Sequence, residues 1–197
     1  MAGVDEVGRG PLAGPVVAAA VILPEAGVDL EVADSKTLSA SRREALALAL
    51  RAHPGVCIGL AEVSGERIDE INIRRATVEA MAAALQALPL VAEFALVDGL
   101  PVSGLPLPAE FIVKGDARSA SIAAASIVAK VYRDALMVRL EAEYPGYGFA
   151  RHKGYGTRQH LEALRRLGPA AVHRRSFAPV AGSLARPPRQ LELPLNP

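Results

Sequence analysis

The sequence contains a single cysteine, Cys57, so no internal disulfide can brace the fold. Cys57 sits in the apolar run 56–60 and reads as a small core residue in a chain kept in a reducing cytoplasm. No apolar stretch of about 18 residues escapes interruption by charge or proline, so no membrane span is expected. The first residues carry acids where an export signal would be basic, so none is read there. His152, His160 and His173 lack a second ligand set at zinc spacing, which leaves them as phosphate contacts or packing residues. Ser121 and Ser126 have no adjacent base and are not nucleophile candidates. Internal repeats and a dividing linker are also missing. One domain of 197 residues is therefore expected, and 51% hydrophobic residues supply a sizeable core.

Net charge is nearly absent too, but the +1 total hides an asymmetry. Residues 1–113 hold 8 basic and 15 acidic side chains, net −7, and residues 114–197 hold 14 and 6, net +8. An acidic half beside a basic half fits a metal site facing a polyanion-binding surface. Mutual attraction of the two halves is the plainer explanation, and charge alone does not separate them.

The most informative stretch is the first: Gly3-Val4-Asp5-Glu6-Val7-Gly8-Arg9-Gly10-Pro11, with an apolar run over 16–23 behind it. Acids on a buried strand are costly unless something neutralises them. Carboxylates are the hard oxygen donors that Mg²⁺ or Mn²⁺ prefers. Glycines let backbone approach a ligand and expose N–H donors. An acidic metal site beside an exposed backbone cradle points to phosphate-ester chemistry. The competing reading of this stretch alone is a solvated acid pair and an ordinary turn.

Strands are expected over 4–7, 16–23 and 56–63, the first two joined as an antiparallel hairpin. Helix is expected over 41–51, and apolar spacing from Ile71 to Leu88 predicts another that starts near Ser64. Strands at 94–99 and 110–116 each end in an acid beside glycine, Asp98-Gly99 and Gly115-Asp116. A long helix over 119–143, a basic loop over 149–156, a helix capped by Thr157 and one turn at 169–173 complete the pattern. The fold class is α/β, a mixed five-stranded sheet flanked by helices. Residues 1–180 form the expected catalytic domain, and 181–197 read as a Pro- and Leu-rich mobile tail.

Sites in open α/β sheets gather beyond the carboxyl ends of strands. If the first, fourth and fifth strands run parallel, Asp5, Glu6, Asp98 and Asp116 converge. Four carboxylates together repel unless metal ions bind them. Two ions about 3.5–4 Å apart would activate a water and stabilise the leaving oxygen of a phosphoryl displacement. Neighbouring residues on a strand face opposite sides, so Asp5 and Glu6 share the site only if the strand twists, bulges or ends there.

The opening segment 3–15 resembles the signature of the bacterial type 2 ribonucleases H, the ribonuclease HII family. So do Asp34-Ser35-Lys36, Val97-Asp98-Gly99, Lys114-Gly115-Asp116, the segment 121–130, His152-Lys153-Gly154-Tyr155 and His173-Arg174-Arg175-Ser176-Phe177, in order from 3 to about 180. The resemblance implies a ribonuclease H-like fold with extra C-terminal helices. It implies Mg²⁺- or Mn²⁺-dependent endonucleolytic cleavage of RNA in RNA–DNA hybrids, and 5′ of single ribonucleotides in duplex DNA, leaving 5′-phosphate and 3′-hydroxyl ends. By motif position, Asp5, Glu6, Asp98 and Asp116 are the catalytic, metal-binding acids. The resemblance implies that Gly8, Arg9 and Gly10 recognise the 2′-hydroxyl at the RNA-to-DNA junction, and that Tyr155 packs on the sugar beside the cleavage site. These roles suit the chemistry, because the 2′-hydroxyl alone marks one ribonucleotide among DNA neighbours. Lys36 is expected on a phosphate, with Arg151, Lys153 and Arg158 as weaker candidates against their competing reading as solvated surface charges.

Only four residues precede Asp5, so no extra N-terminal domain is expected, which argues against the related type 3 enzymes. The tail 190–195 lacks the paired aromatics of a clamp-binding peptide, so no sliding-clamp partner is expected, and a monomer is the default. Two other functions compete. A non-catalytic nucleic-acid-binding protein on this fold would lack at least one of the four acids. Another two-metal DNA endonuclease of this fold, such as one acting on deaminated bases, is disfavoured by the resemblance of the Gly-Arg-Gly and Lys-Gly-Tyr motifs to those of the ribonucleases.

Overall fold

The computed structural model describes residues 1–28 and 38–185. Five strands form one sheet: β1 (Ala2–Val7), β2 (Val16–Ile22), β3 (Cys57–Val63), β4 (Ala95–Asp98) and β5 (Ala109–Ile112). Their order is β3-β2-β1-β4-β5. β1 and β2 form the expected antiparallel hairpin, and β3 continues antiparallel to β2. β4 runs parallel to β1, and β5 parallel to β4. Parallel pairing puts the carboxyl ends of β1, β4 and β5 along one edge of the sheet, where their acids were expected to meet.

The helices are α1 (Ala40–Ala52), α2 (Gly65–Ile71), α3 (Ile73–Gln86), α4 (Ala120–Glu143), α5 (Phe149–His152), α6 (Arg158–Leu167) and α7 (Ala178–Leu184). Both sheet faces are covered. Val16, Ala18 and Ala20 of β2 pack with Ala76, Ala80 and Ala84 of α3. Val17, Ala19 and Val21 pack on the other side with Leu46 and Leu50 of α1 and with Ile127 and Val128 of α4. Small residues let α4 come very close: a Cβ on Gly3 would lie 2.1 Å from the Ser121 carbonyl carbon. The carboxyl-terminal part adds a third cluster, in which Met137, Tyr147, Phe149 and Ala163 pack against Ala13. Among the described residues, no helix is long and apolar enough to cross a membrane.

Three expectations are corrected. The helix expected from Ser64 to Leu88 is two helices, broken at Asn72, whose φ is +69°. The Asn72 side chain accepts from the N–H groups of Arg74 and Arg75 and so starts α3 itself. The fifth strand does not reach Asp116. It stops at Ile112, Lys114 turns left-handed at φ +55°, and Asp116 sits in a short 3-10 turn, Gly115–Ala117. Finally, helix α7 runs to Leu184 with Val180 fully buried, where tail was expected from 181. Residues 186–197, the rest of that tail, lie outside the described residues, as does the segment 29–37.

Candidate active site

Asp5 and Glu6 do face opposite sides of β1. Alternation sends Gly3, Asp5 and Val7 toward α4, and Ala2, Val4 and Glu6 toward the α3 side. No bulge intervenes. The two carboxylates share a neighbourhood because β1 ends just beyond them, where Gly8 turns at φ +94°. Asp5 is buried, accepts the Glu6 N–H at 2.7 Å and is hydrogen-bonded by Ser126 of α4. Asp98 closes β4, and its Oδ1 accepts the Gly115 N–H at 2.6 Å. That contact ties the β4 end to the turn that carries Asp116, which is itself buried.

The acids feel one another. Burial pushes the Asp5 carboxyl up to about 8; the Ser126 hydrogen bond pulls it down, and Glu6 and Asp98 push it further up. Glu6 is also raised, chiefly by burial and also by Asp98, while Arg9 opposes the rise. Arg9 Nη1 donates to Glu6 Oε1 at 3.1 Å. Glu6 Oε2 is buried without a hydrogen-bond partner. Among the described residues, no three His, Cys, Asp or Glu side chains form a ready-made metal cluster. The donors nonetheless suit a hard divalent cation: they are carboxylate oxygens, their charges are mutually unfavourable, and one oxygen is unsatisfied.

Beside the acids lies the loop 8–15. The Tyr155 ring borders Gly10, with Cε1 3.6 Å from where a Cβ on that glycine would stand. Two motifs 145 residues apart in sequence therefore meet. Tyr155 is half exposed at 46%. Lys36 lies outside the described residues. Arg158 is engaged by Glu162 at 2.8 Å, and Lys153 Nζ turns back onto the Ala150 carbonyl at 2.7 Å.

The family model for ribonuclease HII matches residues 2–180. The chain belongs to the ribonuclease HII family. It is 60% identical to the ribonuclease HII of Chromohalobacter salexigens over 91% of this chain and 90% of that protein. It is 56% identical to that of Chlamydia trachomatis serovar A, over 93% and 84%. Among solved structures, ribonuclease H2 of Pyrococcus horikoshii superposes with a TM-score of 0.78 at 28% identity, covering 92% of this chain and 95% of that one. Ribonuclease HII of Archaeoglobus fulgidus, solved as a complex with PCNA, gives 0.72 at 30% identity, over 88% and 91%. The chain is thus a ribonuclease H, an endonuclease that hydrolyses phosphodiesters.

Two arginines that sequence reasoning passed over frame the ribonuclease HII loop. Arg133 of α4 donates to the carbonyls of Pro15 (3.0 Å), Ala13 (3.2 Å) and Lys153 (3.0 Å). Arg174 donates to those of Gly14 (3.0 Å), Arg9 (2.9 Å) and Gly8 (2.6 Å). Both side chains are fully buried. Burial holds Arg174 down to about 9 and Arg133 down to about 10, so both stay charged at neutral pH. Arg174 stood inside a recognised motif, but nothing in its spacing revealed that its target is backbone.

The histidines are packing residues. His160 and His173 are buried, His152 stacks on His160 with ring centres 4.5 Å apart, and His160 Nδ1 lies 2.9 Å from the Tyr155 carbonyl. The cluster therefore supports the backbone of the residue that borders Gly10.

Proposed function

We propose that this ribonuclease H cuts the RNA strand of RNA–DNA hybrids, and cuts 5′ of single ribonucleotides embedded in duplex DNA, leaving 5′-phosphate and 3′-hydroxyl ends. The observation that carries this reading is the juxtaposition of three coupled acids, Asp5, Glu6 and Asp98, with a glycine loop bordered by Tyr155. Two divalent ions, Mg²⁺ or Mn²⁺, held by Asp5, Glu6, Asp98 and Asp116, would supply a water of lowered pKa and charge stabilisation at the scissile phosphate.

The chain's own groups do the rest. The Asp98 side chain is oriented by the Gly115 N–H and Asp5 by Ser126, so the carboxylates are held in place before substrate arrives. The backbone of Gly8, Arg9 and Gly10 meets the 2′-hydroxyl, which can both donate and accept. The ring of Tyr155 packs against the sugar and reads shape without reading sequence. Cutting would then depend on the ribose and hardly on the base.

The test is a labelled duplex with one ribonucleotide, incubated with Mg²⁺, with Mn²⁺ or with chelator. Metal-dependent scission on the 5′ side of that residue supports the reading. Cutting that persists in chelator, or ends carrying a cyclic phosphate, would mean different chemistry. If only long RNA tracts are cut, the nuclease stands but the junction roles of Gly8, Arg9, Gly10 and Tyr155 fall.

A further inference from the structure

We infer that Arg174 is a positioning residue for ribose recognition: it turns the Gly8–Gly10 backbone so that its N–H groups face the substrate. The inference rests on the proposed meeting of that loop with the 2′-hydroxyl.

The argument starts from the peptide bond. Among the described residues no cis peptide is present, and in a trans peptide the carbonyl of one residue and the N–H of the next point in opposite directions. Arg174 draws the Gly8 and Arg9 carbonyls toward the interior through Nη2 and Nη1. The N–H groups of Arg9 and Gly10 must then point the other way, out of the fold. Gly10 is exposed and bordered by Tyr155, so the outward side of the loop is the side where a sugar would lie. The planar guanidinium fork suits this task because it spans three carbonyls, including that of Gly14, in a fixed geometry.

Arg174 is itself held. Its N–H donates to the Leu12 carbonyl at 2.8 Å, and its guanidinium lies over the Phe177 ring, 5.2 Å from the centroid. Asp69 of α2 accepts from the Arg175 N–H (2.7 Å), the Ser176 N–H (2.8 Å) and the Ser176 hydroxyl (2.5 Å). The nearby acid thus anchors the segment, while the guanidinium serves the loop. Arg133, equally buried, holds the carbonyls of residues 13, 15 and 153 but neither of the two peptides that carry the outward N–H groups.

That difference gives the experiment. Arg174→Lys keeps the charge but loses the fork. The readout is the ratio of cleavage rates on a single-ribonucleotide duplex and on a long RNA–DNA hybrid, with Mn²⁺ binding followed by calorimetry. The ratio should fall about tenfold, the scale of one or two misdirected hydrogen bonds, with Mn²⁺ affinity retained. Arg133→Lys should lower both rates in proportion. If Arg174→Lys does not fold, Asp69→Ala decides, since it loosens the 175–176 anchor and removes a favourable charge near Arg174, and should shift the ratio the same way by a smaller factor. A ratio unchanged from wild type in the folded variant overturns the inference while leaving the function intact. A wild-type enzyme that ignores the single ribonucleotide overturns both.

Discussion

His160 Nε2 lies 3.1 Å from His173 Nε2, deep behind Tyr155. The partners assign the protons. His160 Nδ1 faces the Tyr155 carbonyl and donates, so its Nε2 accepts from His173, whose Nδ1 in turn accepts the Ala170 N–H at 3.0 Å, a shorter contact than the 3.3 Å to the Ala170 carbonyl. Both rings are neutral in this arrangement, and a proton added to His160 Nε2 would set N–H against N–H.

The pair predicts an acid weakness. Burial, and then His160, hold His173 down to about 4, against about 6.5 when unfolded. Above pH 6.5 neither state takes a proton and the term is flat. Between 6.5 and 4 the unfolded chain binds a proton that the folded one refuses, so stability falls as pH falls. At pH 5 the loss is about 2 kcal/mol. The raised pKa of Asp5 works in the opposite sense over this range, so the comparison must be with His173→Asn. Denaturant melts at pH 7 and pH 5 should show a smaller drop in that variant than in wild type. Equal drops would remove the pair from the acid response.

Asp5→Asn should make the metal-free protein more stable and catalytically inert. A carboxyl raised to about 8 when folded, from 3.8 when unfolded, loses stability as pH rises through that window. Replacement by a neutral amide relieves this at pH 7, by about 0.5–2 kcal/mol. Thermal melts in chelator check the sign, and a lower midpoint in the variant would contradict the electrostatic account.

Gly8→Ala should damage the loop and spare the acids. A Cβ there would stand 2.2 Å from Arg133 Nε, at a backbone φ of +94° that side chains rarely adopt. The expected destabilisation is about 1–3 kcal/mol. Cleavage at a single ribonucleotide should fall further than the stability loss explains, as measured below the melting range.

Tyr155→Ala should lower the cleavage rate at a junction by about tenfold or more, while Tyr155→Phe keeps most of it, because the ring is the working part. Rates under saturating substrate separate this from weaker binding. A change confined to KM would contradict a role beside the reacting sugar.

The sheet was legible because its signals are local, the apolar run of β2 and the acid-glycine strand ends, and so was the helix capped by Thr157, which accepts the His160 N–H. The proximity of Asp5, Glu6 and Asp98 was readable from strand ends as well, whereas Asp116 arrives on a turn made by the left-handed Lys114. Nothing local marked Asn72 as the break between α2 and α3, since apolar spacing runs through it. The arginine frame stayed hidden for a different reason. A guanidinium that binds carbonyls 120 and 166 residues away leaves no pattern in charge or periodicity, because any backbone offers carbonyls. The histidine pair was likewise visible as three rings but not as a support for Tyr155.

The most direct measurement varies one atom group on one nucleotide. The same DNA duplex is prepared with 2′-hydroxyl, 2′-fluoro, 2′-methoxy or plain deoxyribose at a single position and incubated with enzyme and Mg²⁺. The account predicts cutting of the hydroxyl duplex alone, on the 5′ side of that nucleotide, whichever base it carries. Equal cutting of the deoxyribose duplex, or cuts scattered along the strand, would show that the loop beside Tyr155 does not read the ribose.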